Sequence, residues 1–164
     1  MNTPRRKFLK NVLATGGALV FGTNVLPAMA DWPDVAFQAK TVEEVLMALF
    51  NKDKLAQNSG KIELTIADTK ASDSEDPIVA QNGAVVPVEV SASLEQVESI
   101  TIIVENNPVP LISQFNFTEH SVPWLKTRIK MATASDVIVI VKTQDGSLHS
   151  TRKSVTVAKG GCAG

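Results

Sequence analysis

A chain of 164 residues, 44% of them hydrophobic, with a formal charge of −1 is one domain's worth of sequence and enough to bury a core. Its single cysteine excludes an internal disulfide framework, and its two histidines, with no cysteine or carboxylate pair at zinc-like spacing, supply no metal motif. The charge is unevenly placed, because the first thirty residues carry Arg5, Arg6, Lys7 and Lys10 and no acid.

Thr3-Pro4-Arg5-Arg6-Lys7-Phe8-Leu9-Lys10 precedes an apolar stretch from Val12 to Leu26 that Gly16, Gly17 and Gly22 dilute. This is the pattern of a bacterial export signal, and Arg5 with Arg6 ahead of Phe8-Leu9 gives it the twin-arginine form, which carries cargo already folded. Ala28 and Ala30 flank Met29 as a small-x-small cleavage site, so residues 1–30 read as a signal peptide and the mature chain as starting near Asp31. About fifteen glycine-diluted apolar residues fall short of a membrane span. The expected location is the periplasm, reached by the twin-arginine route. Loss of the signal takes sixteen basic residues to twelve against seventeen acids, a formal charge of −5. Such a surface repels nucleic acid and anionic membranes, so neither is expected as a partner.

Val42, Val45, Leu46, Leu49 and Phe50 recur at three- and four-residue spacing behind Thr41 and Glu44, a capping-box pair. They predict one short amphipathic helix over about 41–51. The period then changes to two. Ile62, Leu64 and Ile66 mark a first strand, Val86, Val88 and Val90 a second, and Ile100, Ile102 and Val104 a third. Phe115 and Phe117 mark a fourth, Leu125 to Met131 a fifth and Val137 to Val141 a sixth. Between the first two, Asp68 to Pro77 reads as an acidic loop; Asp68, Asp73, Glu75 and Asp76 lack the spacing and glycine of a calcium loop. Pro108 and Pro110 cannot donate to a ladder and place a loop after the third strand. Asp145-Gly146 is a two-residue hairpin signal that returns Leu148 to Ala158 beside the sixth strand. About seven strands predict a mainly β, immunoglobulin-like antiparallel sandwich over about 61–158, within a domain spanning 31–158.

The chain ends Lys159-Gly160-Gly161-Cys162-Ala163-Gly164. A lone thiol in an exported protein serves either intermolecular pairing or chemistry, and glycines on one side leave the sulfur open to a partner's cleft. Lys159 is the one nearby cation, and no histidine or helix terminus adjoins Cys162 to activate it, so activation falls to a partner. An enzyme with Cys162 as nucleophile would need His120 or His149, which a mobile tail would meet with poor geometric control. Trp32 and Trp124 read as core or interface anchors.

With these features in place the chain resembles the SoxY family, the sulfur-carrier subunits of bacterial thiosulfate oxidation. The landmarks are Gln81-Asn82-Gly83 leading to Val86-Pro87-Val88, Asn107-Pro108-Val109-Pro110, Phe115-Asn116-Phe117-Thr118, Thr127-Arg128-Ile129-Lys130 and Asp145-Gly146-Ser147. The family tail usually reads Gly-Gly-Cys-Gly-Gly; here Gly160, Gly161, Cys162 and Gly164 match and Ala163 departs. The resemblance implies a carrier that is not an enzyme and needs no cofactor, with thiosulfate-derived sulfur held covalently on Cys162 and residues 159–164 as the carrier arm. It implies SoxZ as heterodimer partner, and as acting enzymes a c-type cytochrome complex, a sulfate thiohydrolase and a sulfane dehydrogenase. A binding module that uses Cys162 only for an intermolecular disulfide, as in a disulfide-linked homodimer, is the alternative.

Overall fold

A computed structural model of the chain describes residues 33–55, 59–66 and 78–158. Two helices open the described part. The first, α1 (Asp34–Gln38), turns at Pro33, whose carbonyl accepts from the N–H groups of Ala36 and Phe37 at 2.9 and 3.2 Å. The second, α2 (Val42–Phe50), is the helix expected from the apolar spacing. Thr41 caps it, its Oγ1 accepting from the Glu44 N–H at 3.2 Å, while Glu44 Oε2 accepts from the Lys40 N–H at 2.6 Å. The carboxylate thus reaches one residue further back than a standard capping box. Asn51, with φ 53°, takes the left-handed step that ends the helix, its N–H donating to the Met47 carbonyl at 3.1 Å.

Eight strands follow among the described residues: β1 (Ile62–Ile66), β2 (Ile78–Ala80), β3 (Val86–Ala92), β4 (Val97–Val104), β5 (Leu111–Asn116), β6 (Trp124–Ile129), β7 (Ser135–Thr143) and β8 (Leu148–Val157). They form a three-stranded sheet in the order β1-β3-β6 and a five-stranded sheet in the order β2-β8-β7-β4-β5. The pairs are antiparallel except β2 with β8, which runs parallel.

Alternation decides which residues the sandwich buries. Leu64, Val86, Val88, Val90 and Ile129 of the smaller sheet face Ile100, Ile102, Val104, Val137, Val139 and Val141 of the larger. Ile103, Ile138 and Ile140 point to the opposite face of the larger sheet, where Ala36, Val42, Val45 and Leu46 of the helices cover them. Each such valine, leucine or isoleucine contributes roughly 1.5–3 kcal/mol by leaving water. β4 and β7 are therefore buried on both faces, and their sequences run nearly continuously apolar instead of alternating.

The sandwich differs from the sequence expectation in detail. α1 and β2 are five and three residues long, too short for a periodic signal. β5 begins at Leu111 and ends before Phe117. The hairpin after β7 is a three-residue loop, with the Thr143 N–H on the Ser147 carbonyl at 3.0 Å, the Gly146 N–H on the Thr143 carbonyl at 2.9 Å and Gly146 at φ 82°. A two-residue type I′ turn needs positive φ at both central residues, and Asp145 does not supply it. The signal residues Arg5, Arg6, Ala28 and Ala30, Trp32, the acidic loop and residues 159–164 lie outside the described residues.

Candidate functional site

The candidate tail leaves the sandwich from β8, and the structure defines that departure point. β8 is flanked on one side by β7 and on the other by β2, with Ile78, Val79 and Ala80 opposite Val155, Thr156 and Val157. The Ala158 N–H donates to the Ala80 carbonyl at 2.9 Å, and Ala80 and Val155 are buried. The main chain is thus held in the sheet to within four residues of Cys162, a distance that covalent geometry limits to about 14 Å.

Three of the described loops surround this pole; side-chain amides tie two of them together and a main-chain bond joins the third. Asn107, in the turn between β4 and β5, donates from Nδ2 to the Lys130 carbonyl at 2.8 Å and accepts on Oδ1 from the Ala132 N–H at 2.9 Å. Its neighbour Asn106 donates to the Ala134 carbonyl at 3.1 Å and takes the Ser135 hydroxyl on its own N–H at 2.9 Å. Ser135 stands opposite Val155, so this stitch reaches the strand that carries the tail. The third loop joins through Gly83, whose carbonyl accepts from the N–H of fully buried Met131 at 2.8 Å. Inside that loop, Asn82 Oδ1 accepts from the Ala84 N–H at 2.9 Å. Three landmark segments, Gln81-Asn82-Gly83, Asn107 to Pro110 and Thr127 to Lys130, therefore meet at the pole where the tail departs. Sequence reading found the segments but not their convergence, which depends on bonds between residues 23 to 29 apart in the chain at Asn106 and Asn107 and still further apart between Gly83 and Met131.

The other candidates lie elsewhere. His149 stands opposite Val141 near the start of β8, eight residues or about 27 Å before Val157. His120 lies in the turn after β5, whose end pairs with the beginning of β4, at the same far pole. The described path of β8 thus separates His149 from the tail's root by about twice the length of chain between Ala158 and Cys162. Trp124 is 51% exposed on the outer face of the smaller sheet, its Nε1–H donating to Glu89 Oε1 at 3.0 Å. It is a surface residue, not a core one. That bond, followed by those of Lys126 at 3.3 Å, holds the Glu89 carboxyl below its ordinary pKa. Asp145, in the far hairpin, is lowered from 3.8 to about 2 by the Thr143 hydroxyl, then by the Ser147 N–H and hydroxyl. Among the described residues no group of three or more His, Cys, Asp or Glu could hold a metal ion.

The sequence matches the family model described as "Sulfur oxidation protein SoxY" over residues 46–162. No curated protein sequence matches the chain. Among solved structures, the sulfur carrier protein SoxY from Chlorobium limicola f thiosulfatophilum aligns with a TM-score of 0.58 at 25% identity, covering 71% of this chain and 96% of that one. Superoxide reductase (neelaredoxin) from Ignicoccus hospitalis aligns with a TM-score of 0.47 at 13% identity, over 59% of this chain and 80% of that one. The fibronectin(III)-like modules of CbhA from Clostridium thermocellum align with a TM-score of 0.39 at 18% identity, over 59% and 96%.

Proposed function

Because the chain belongs to the SoxY family of sulfur oxidation proteins, we propose that it is a periplasmic sulfur carrier that holds thiosulfate-derived sulfur covalently on Cys162 while partner enzymes act on it. The observation that carries the reading is that the family match runs to residue 162 and stops on the one cysteine of the chain. Loading joins the cysteine thiolate to the outer sulfur of thiosulfate as Cys–S–S–SO₃⁻ and releases two electrons. A c-type cytochrome complex is the acceptor this reading assigns. Hydrolysis of the terminal S–S bond then gives sulfate and leaves one sulfur on the cysteine.

The protein's part in these steps is presentation. Tethering keeps reactive sulfur at high local concentration near each enzyme, and the stitched loops at the tail's root give a partner a fixed surface to meet. The twin-arginine signal fits a cargo that folds before export and travels with a second sandwich subunit, SoxZ, bound to it.

Intact mass of the mature protein, with and without reductant, tests the reading after incubation with thiosulfate and the partner enzymes. A reductant-labile adduct of sulfur, sulfite or thiosulfate size on the Cys162 peptide, absent from Cys162→Ser and kept in His120→Ala and His149→Ala, is the expected result. Free thiol or a simple disulfide dimer alone would favour the module that uses Cys162 only as a cross-link. Loss of loading in either histidine variant would favour an enzyme.

A further inference from the structure

Asparagine or aspartate followed by glycine carries a latent reaction. The glycine nitrogen, with no Cβ beside it to crowd the approach, attacks the preceding side-chain carbonyl and closes a succinimide ring. The chain holds two such pairs, Asn82-Gly83 in the loop before β3 and Asp145-Gly146 in the far hairpin, and the fold treats them in opposite ways.

At Asp145 every group the reaction needs is occupied. The carboxylate accepts from the Thr143 hydroxyl, from the Ser147 N–H at 3.0 Å and from the Ser147 hydroxyl at 2.9 Å. These bonds keep it ionised, with its pKa lowered to about 2, and an ionised carboxylate is a poor electrophile. The Gly146 N–H, which would have to attack, donates to the Thr143 carbonyl at 2.9 Å.

At Asn82 the same groups are open. Its Oδ1 accepts from the Ala84 N–H at 2.9 Å and its main-chain carbonyl from the Val85 N–H at 3.2 Å. The first bond folds the side chain back over the Gly83 peptide and sets a donor on the oxygen where negative charge gathers as the ring closes. Neither the Gly83 N–H nor the Asn82 Nδ2, the group that must leave, makes a hydrogen bond to any described residue. Asn82 is exposed, so water reaches it.

The other described asparagines are closed to this chemistry by the residue that follows each. The Lys52 N–H donates to the Leu46 carbonyl at 3.5 Å, the Asn107 N–H to the Val104 carbonyl at 3.1 Å and the Phe117 N–H to the Glu98 carbonyl at 2.9 Å, which ties the nitrogens after Asn51, Asn106 and Asn116. Asn107 precedes Pro108, which has no N–H.

We propose that Asn82 is a site of spontaneous deamidation in the folded protein, with water as the co-reactant. The Gly83 nitrogen gives its proton to solvent and bonds to Cγ; the Cγ–Nδ2 bond breaks, and the amide nitrogen takes a proton from solvent and leaves as ammonia. Water then opens the ring. Attack at Cγ gives aspartate, and attack at the main-chain carbonyl carbon gives isoaspartate, in which the chain runs through Cβ and Cγ. Nothing is oxidised or reduced.

The two products act differently on the pole from which the tail departs. Aspartate keeps an oxygen for the Ala84 N–H and adds a negative charge. Isoaspartate inserts an atom into the main chain ahead of Gly83, whose carbonyl accepts from the N–H of fully buried Met131 at 2.8 Å. Displacing that carbonyl leaves a buried donor without its partner, so this product unfastens the loop before β3 from the loop after β6.

The test is peptide mapping of the purified protein after prolonged incubation at neutral pH, beside synthetic peptides of residues 79–86 and 142–149, with fragmentation that separates aspartate from isoaspartate. An N–H that must first leave a hydrogen bond reacts about tenfold more slowly, which sets the threshold. Asn82 should convert in the folded protein less than about tenfold more slowly than in its peptide, and Asp145 should isomerise at least about tenfold more slowly than in its own. Hydrogen exchange gives a second reading on the aged acidic fraction collected by ion exchange: its Met131 amide should exchange at least about tenfold faster than in Asn82→Asp, which has the charge without the inserted atom. Asn82 slowed tenfold or more, Asp145 converting as in its peptide, another described asparagine converting faster than Asn82, or equal Met131 exchange in the two proteins would overturn the proposal. None of these outcomes bears on whether Cys162 carries sulfur.

Discussion

Asn107→Ala isolates the stitching at the tail's root. The amide makes two bonds, to the Lys130 carbonyl at 2.8 Å and from the Ala132 N–H at 2.9 Å, and a neutral hydrogen bond contributes about 1 kcal/mol net. Truncation also leaves the half-buried Ala132 N–H without its partner, so the cost should reach about 2–3 kcal/mol. For a domain of this size that lowers the melting temperature by about 6–9 °C. Asn106→Ala loses one exposed side-chain bond, at 3.1 Å, and should cost about 0.5–1 kcal/mol. Urea unfolding of the two variants and wild type, with unchanged slopes, measures both values. If Asn107→Ala falls within about 0.5 kcal/mol of wild type, or Asn106→Ala costs more than Asn107→Ala, the loops are not held together by these amides.

Removing the α2 cap with Thr41→Ala should destabilise the protein by about 1 kcal/mol, seen in the same urea assay; Thr41→Ser, which keeps the oxygen, should restore most of it. Asp145, folded near pH 2 against 3.8 for the free group, adds stability that is present above about pH 4 and lost as pH falls through 2. Acid titration of Asp145→Asn should therefore lack part of the wild-type loss between pH 4 and 2, and parallel curves would contradict the hairpin geometry. Trp124→Phe deletes the largest cause that lowers Glu89, so the Glu89 carboxyl should titrate at higher pH by carbon-detected NMR, with Lys126 supplying what depression remains.

Much of this fold is legible in the sequence because its strands are long enough to show their period. β1 and β3 announce themselves through Ile62-Leu64-Ile66 and Val86-Val88-Val90, each with one face in the core and one in water. α2 is equally plain, from its cap at Thr41 to its left-handed end at Asn51. β2 is not, since Ile78–Ala80 is strand only because β8 runs beside it. The hairpin was misjudged by one residue because Asp-Gly serves both a type I′ turn and a type I turn ending in a left-handed glycine. The cysteine could be read directly, but Asn106 and Asn107 look like ordinary turn residues until Lys130, Ala132 and Ser135 are folded against them. Their role lives in tertiary distance, which no local pattern encodes.

The three-residue pairing of β2 with β8 also sets a length. While Ile78 to Ala80 hold Val155 to Val157, the tether to Cys162 counts four residues, about 14 Å at full stretch. Fraying of those three pairs would raise that reach to about 24 Å, and, for a carrier, a volume about fivefold larger would mean a matching fall in the sulfur's concentration at any one cleft. Under the proposed carrier reading, the shortest of the described strands would act as the stop on a leash, setting how far from the sheet a partner's cleft can lie and still receive the cysteine.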